Sequence, residues 1–220
     1  MPIDVDKLLQ PVAGDNPCGA DVRYDPEYAA LMELAKGKPE QEIIEGSGPQ
    51  ATRKLVPGEE PSWSEVRKGC EGILGRSKAL RVGLFLAVAE VRLEGYSGLA
   101  QGMTLLHGLL AKFWDRLYPE LDPEDANPGL ERINIIATLA TPADSYGDVV
   151  RFQNKILEAP VTESPQIGRF GLRDIEMAGK APTGEGAKDY RGVTPALVLS
   201  LIHISEPTRL RRISYAVFCL

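Results

Sequence analysis

Residues 77–119 read SKALRVGLFLAVAEVRLEGYSGLAQGMTLLHGLLAKFWDRLYP, and two helices are legible in them. The centre of the first half, Val82-Gly83-Leu84-Phe85-Leu86-Ala87-Val88-Ala89, is apolar nearly all round a helical projection. It predicts a central, buried helix over about Lys78 to Glu94 with Ser77 as its cap. Gly95-Tyr96-Ser97-Gly98 predicts a turn bracketed by its two glycines. In the second half Leu99, Met103, Leu106, Leu110, Phe113 and Leu117 recur at spacings of 4, 3, 4, 3 and 4, one face of an amphipathic helix. That stripe is expected to face the core, with Gln101, Gly108, Lys112 and Asp115 opposite it and Pro119 closing the helix. Helices joined by short turns, with no persistent strand alternation, predict an all-α, antiparallel, bundle-like domain.

Working upstream, Ser62 and Glu65 have the spacing of a capping box. Behind them Trp63, Val66, Cys70 and Ile73 mark the inner face of a helix that ends near Gly75. From Pro39 to Pro61 glycine, proline and charge dissolve the pattern, so a long loop is expected there. Asp25 before Pro26 is an N-cap followed by proline at N1, and a helix is expected over Glu27 to Lys36, stopped by Gly37. Ile3 to Leu9 is a short apolar-periodic segment that Pro11 and the loop Gly14 to Gly19 bring to an end.

Downstream, Asp122-Pro123-Glu124-Asp125-Ala126-Asn127-Pro128 reads as an acidic turn. Helices are expected over Leu130 to Leu139, Val149 to Leu157 and, briefly, Leu172 to Ala178. After Pro160 the density of Gly and Pro rises. The expected organisation is a helical domain over 1–160 and an irregular linker over 161–198, leading to a C-terminal domain missing from this chain.

Residues 199–220, LSLIHISEPTRLRRISYAVFCL, break with this character. They resemble a translated sequencing adapter: in one reading frame a transposon-end adapter encodes Leu199 to Arg209, and its downstream end encodes Ile213 to Leu220. The whole chain has 25 Lys+Arg and 31 Asp+Glu, a formal charge of −6. Setting the tail aside removes Glu206, Arg209, Arg211 and Arg212, which leaves 22 basic and 30 acidic residues and a charge of −8. His203 and Cys219 leave the candidate set with it. Acidity argues against a nucleic-acid-binding surface. No apolar run approaches the roughly 20 residues that span a bilayer. The opening Met1-Pro2-Ile3-Asp4 lacks the order of a signal peptide, so a cytoplasmic location is expected.

Catalytic chemistry finds little to work with. One histidine, His107, and two separated cysteines, Cys18 and Cys70, make no zinc signature. Neither GxxxxGK[ST] nor GxGxxG stands in a strand-to-helix setting. Asp122, Glu124 and Asp125 lack the glycine and distal glutamate of a calcium loop. A thiol–base pair of Cys70 and His107 is the one enzymatic candidate, and it needs both side chains close and reachable by solvent. Cys70 lies on the inner stripe of its helix, where a thiol is usually an inert small hydrophobe. No catalytic, cofactor-binding or metal-binding residue is therefore assigned.

Several ordered segments resemble the ImpA-related N-terminal domain of TssA proteins of the bacterial type VI secretion system. They begin with Asn16-Pro17-Cys18-Gly19-Ala20-Asp21-Val22-Arg23-Tyr24-Asp25-Pro26-Glu27-Tyr28 and Gly37-Lys38-Pro39-Glu40-Gln41. Glu60-Pro61-Ser62-Trp63-Ser64-Glu65-Val66 follows, leading into Arg76-Ser77-Lys78-Ala79-Leu80-Arg81-Val82. Leu93-Glu94-Gly95-Tyr96-Ser97-Gly98-Leu99, Phe113-Trp114-Asp115-Arg116-Leu117-Tyr118-Pro119 and Arg132-Ile133-Asn134 complete the set. The stretch between Gln41 and Pro57 is longer and more polar than the family's, and Ala126 interrupts an otherwise acidic or amidic run. The resemblance implies a non-enzymatic assembly protein whose partners are baseplate, sheath and inner-tube proteins, with ring formation left to C-terminal regions. A generic helical adaptor unrelated to secretion is the rival reading. Most of the motif residues have a structural account, and Arg81 is expected to pair with a carboxylate such as Asp115 or Asp122.

Overall fold

The computed structural model describes residues 3–38, 41–45, 52–56, 58–122, 124, 126–145, 148, 150–164 and 168–177. The adapter-like tail and most of the expected linker lie outside them. The chain divides into two compact units, Met1–Gln153 and Asn154–Leu220.

The first unit is mostly helical, as the sequence predicts. Its helices are α1 (Val5–Leu8), α2 (Pro26–Lys36), α3 (Trp63–Leu74), α4 (Leu80–Glu94), α5 (Tyr96–Phe113) and α6 (Leu130–Ala137), the last continued by a 3-10 turn over Thr138–Ala140. Helix α4 is the axis: α3, α5 and α6 all pack on it, while α2 packs on α3 and α1 on α5. Every residue from Val82 to Val91 is buried, so the expectation from the all-apolar run holds.

Helix starts follow local chemistry where a side chain is free to cap. The Asp25 carboxylate accepts from the Glu27 N–H at 2.8 Å, Pro26 stands at N1, and Gly37 at φ +66° ends α2. Ser62 does sit at the N-cap of α3, but its side chain makes no cap bond and pairs with Ser64 Oγ at 3.3 Å, so the expected capping box does not form. Ser77 does not cap α4 either. Ala79 holds that position, and the Ser77 hydroxyl donates to the Ala20 carbonyl at 2.7 Å.

The turn and stripe expected after α4 are displaced. Gly95 alone, at φ +63°, reverses the chain, and α5 begins at Tyr96 with Gly98 already inside it. The buried face of α5 is Gly98, Gly102, Leu105, Leu106, Leu109 and Phe113. Met103 is exposed, Leu99 and Leu110 are half-buried, and Gly108 is buried instead of outward. The cause is backbone approach. A Cβ at Gly98 would stand 2.0 Å from the Glu90 carbonyl oxygen, and one at Gly102 would stand 2.7 Å from the Ala87 Cα. Counting leucines misses a helix face built from absent side chains. Gly98→Ala is expected to force α5 off α4 and to lower unfolding stability by about 1–3 kcal/mol, read as a lower urea midpoint.

The stretch expected as a loop contains an antiparallel hairpin, β1 (Gln41–Glu45) with β2 (Thr52–Val56), in which Gln41 faces Val56 and Glu45 faces Thr52. Backbone bonds between Lys38 and Glu59 in both directions, at 2.9 and 3.0 Å, close its base.

Helix α7 (Phe152–Glu158) runs into the second unit, which also holds the hairpin β3 (Pro160–Ser164) with β4 (Gly168–Gly171) and helix α8 (Leu172–Met177). Regular structure therefore continues into the segment expected to be irregular linker.

Candidate functional site

Three of the family-like segments, far apart in sequence, meet at one place. The turn Asn16–Gly19, the strand-like run Arg76–Ala79 and the end of α5 through Pro119 form a short three-stranded knot. The Lys78 N–H donates to the Cys18 carbonyl at 2.8 Å, the Tyr118 N–H to the Lys78 carbonyl at 3.0 Å, and the Leu80 N–H to the Tyr118 carbonyl at 2.8 Å. Side chains tighten it. Asn16 Nδ2 donates to the Gly19 carbonyl at 2.8 Å and to the Tyr118 hydroxyl at 3.1 Å, and that hydroxyl donates to the same carbonyl at 3.0 Å. Gly19, at φ +74°, lies so close to Arg76 that a Cβ would stand 2.0 Å from its carbonyl oxygen, so only glycine fits.

Two buried cations flank the knot, and backbone carbonyls rather than carboxylates accept their hydrogen bonds. Lys78 Nζ donates to the Leu8 and Leu74 carbonyls, both at 2.8 Å, and so ties the last residues of α1 and α3. It also lies 5.9 Å from the centre of the Phe113 ring. Burial pulls the Lys78 ammonium below its ordinary value. Arg132 on α6, only 1% exposed, donates through Nε to the Pro119 carbonyl at 2.8 Å and through its two terminal nitrogens to the Trp114 and Leu117 carbonyls. Its guanidinium lies 5.0 Å over the Trp114 ring. One side chain thus satisfies three carbonyls of the segment that follows α5, from its cap residue Trp114 to Pro119. Burial lifts the Cys18 thiol, against the opposing pull of Lys78 and Arg132.

Further motif residues serve locally. Arg76 bridges Asp25 at 2.5 Å and Glu27 at 2.6 Å, and its hydrogen bond holds the Asp25 carboxyl below the usual range. The Asp21 carboxylate accepts from the Arg23 N–H at 2.8 Å. Pro17 offers its carbonyl to the Val12 N–H at 2.9 Å. Trp63 is half-buried, its indole N–H reaching Glu60 at 3.3 Å, and Leu80 is fully buried. Asn134, Asp115 and Tyr24 face solvent. Arg81 is also exposed, and the expected ion pair with Asp115 or Asp122 does not form. The structural arginine of this region is Arg132.

Two concavities adjoin the knot. A shallow notch of about 40 Å³ is walled by Asp21, Arg23, Tyr28, Arg81, Tyr118 and Glu131 among others. A groove of about 470 Å³ runs between α1 and the end of α3. The groove's Asp4 accepts from the Lys7 N–H at 3.0 Å, and its Lys78 is engaged as described, so these polar groups already serve the fold. Cys70 is fully buried and burial pushes its thiol far up, while His107 is exposed. The thiol the enzymatic candidate needs is out of solvent's reach, and that candidate is withdrawn.

Sequence reading missed two features. Glu90 is a lone acid within the buried face of α4, and its carboxylate is held by Arg67 Nε at 2.6 Å, while Arg67 also reaches Glu94 at 3.0 Å. A charge at the end of an apolar run was the available signal. The second is the outer face of α6. Leu130 is 43% exposed and Ile133 58%, next to Trp114 at 42%. The buried Arg132 between them turns the usual amphipathic pattern inside out.

Comparison with known proteins agrees with the resemblance. The family described as "ImpA, N-terminal, type VI secretion system" matches residues 9–141. The chain is 39% identical over 137 residues to "Type VI secretion system component TssA1" of Pseudomonas aeruginosa, covering 62% of this chain and 38% of that protein. It therefore spans well under half the length of that relative. A solved structure, the "N-terminal domain including the conserved ImpA_N region of the TssA component of the type VI secretion system from Burkholderia cenocepacia", superposes with a TM-score of 0.59 at 24% identity. The match covers 81% of this chain and 59% of that one, and it supports the same fold. With the family match running from Leu9 through the Asn16–Gly19 turn and the buried Arg132 to Thr141, just past the 3-10 turn that continues α6, the chain belongs to the ImpA N-terminal family of the type VI secretion system.

Proposed function

We propose that this chain is the N-terminal module of a TssA-like type VI secretion component and acts as a non-enzymatic scaffold in the cytoplasm. In this reading it works through protein–protein contacts while the baseplate and the tail sheath and tube are assembled. One observation carries it: the two buried cations of the family-like segments, Lys78 and Arg132, are turned inward onto backbone carbonyls, and beside Arg132 stand the exposed apolar side chains Trp114, Leu130 and Ile133. Such a surface suits a partner rather than a small substrate. Among the described residues no helix is long and apolar enough to cross a membrane.

Capture tests the proposal. The full-length parent protein, immobilised and challenged with purified baseplate, sheath and inner-tube proteins, is expected to retain at least one of them through washing. Retention of none removes the scaffold reading.

A further inference from the structure

We propose that Trp114, Leu130 and Ile133 form a docking site for a basic amphipathic helix of a partner protein, one with aliphatic side chains on one face and Lys or Arg along its edges. The proposal rests on the scaffold reading and names the chemistry of the partner.

Trp114 is held in place beside the start of α6. The six-membered ring of Trp114 lies over Gly129, where an added Cβ would be 3.6 Å away, and under the Arg132 guanidinium. Arg132 is locked by three carbonyls, so the ring has a fixed backing. Leu130 and Ile133 are one helical turn apart, and the Ile133 N–H donates to the Gly129 carbonyl at 3.0 Å. Ile133 therefore stands one turn beyond the residue on which the ring lies. A helix laying down anchors three and four residues apart fits such a row.

Charge selects which helix. Between Trp114 and Glu124 the described residues expose four carboxylates, Asp115, Glu120, Asp122 and Glu124, against the single guanidinium of Arg116. Asp115 and Glu120 are near enough to act on the charge of Arg132. On the other flank Glu131 is paired with Arg23 at 3.4 Å. An apolar centre with a net negative rim accepts a cation-flanked hydrophobe and repels an acidic one.

Two arms test this. In the first, the full chain is titrated calorimetrically with a synthetic Leu/Lys amphipathic helical peptide and with its Leu/Glu counterpart. The Leu/Lys peptide is expected to bind, less tightly as salt rises, and the Leu/Glu peptide not to bind. The double variant Leu130→Ser, Ile133→Ser keeps the charge of the chain and is expected to weaken binding about tenfold or more with its thermal melt unchanged. A second variant, Asp115→Asn with Glu120→Gln, is expected to weaken binding and flatten its salt dependence. Absence of Leu/Lys binding, equal binding of both peptides, or unchanged binding by the serine variant overturns the proposal. In the second arm the serine pair is placed in the full-length parent and the capture experiment repeated. If the unmodified parent retains no secretion protein, the scaffold reading fails. If parent and variant retain it equally, the docking site fails while the scaffold reading stands.

Discussion

Arg132→Met is expected to lower unfolding stability by roughly 3–5 kcal/mol, three carbonyls left without a donor costing about 1–3 kcal/mol each when buried. Methionine is close to the aliphatic length of arginine, so the change tests the hydrogen bonds more than the volume. Pro119, Leu117 and Trp114 lose their donor together, and the Trp114 ring loses the guanidinium above it. The Trp114 carbonyl is partly solvated and contributes least. Arg132→Lys is expected to recover only part of the loss, because an ammonium cannot reproduce the planar fork that reaches three acceptors. Urea denaturation of the three proteins at one pH measures both effects. A midpoint for Arg132→Met within error of the unmodified chain removes the claim that this side chain holds the segment that follows α5.

Stability is expected to fall as pH rises through neutrality, and Glu90 is the reason. Burial pushes its carboxyl from 4.5 up to about 7, Arg67 opposing the shift and Glu94 adding to it. The folded chain thus holds a proton that the unfolded chain releases above 4.5. The stabilisation is complete below that value and is lost as pH rises through about 7. The full swing is about 3 kcal/mol. Asp25, Glu59 and Glu94 have lowered values, so their contributions disappear only on acidification. Urea midpoints measured from pH 5.5 to 8.5 are expected to decline, and Glu90→Gln to abolish the decline and to be the more stable protein at pH 8.5. A flat profile in the parent chain refutes this account.

The fold was legible where one local force dominates. Asp25-Pro26 and Gly37 delimit α2 because capping and proline geometry need no tertiary partner. The Val82–Ala89 run identifies α4 as central because nothing in it could face water. The inward face of α5 was not legible. Its glycines permit the approach to Glu90 and Ala87, and a periodicity count gives an absent side chain no weight. The hairpin β1–β2 was hidden in the same way, since Gly, Pro and charge also describe the turn and flanks of a hairpin. At the site, the family-like segments were visible as words but not as one object. Asn16 meets Tyr118 across 102 positions, and no spacing rule joins them. Ser77 read as a cap because its local context fits one; a longer-range carbonyl, that of Ala20, took its proton.

The closed base of the β1–β2 hairpin has a practical side. Lys38 and Glu59 are joined by two backbone bonds and by an ammonium–carboxylate contact at 2.6 Å, and at Gly37 there is no room even for a Cβ beside the Glu59 carbonyl. Helices α2 and α3 are thus brought to a fixed separation before the hairpin begins, whatever length of chain lies beyond the neck. Lengthening a closed excursion costs little chain entropy. The neck therefore makes the chain between Glu45 and Thr52, past the paired strands, the natural place to splice in an affinity tag or a fluorescent reporter, far in sequence from Trp114, Leu130 and Ile133.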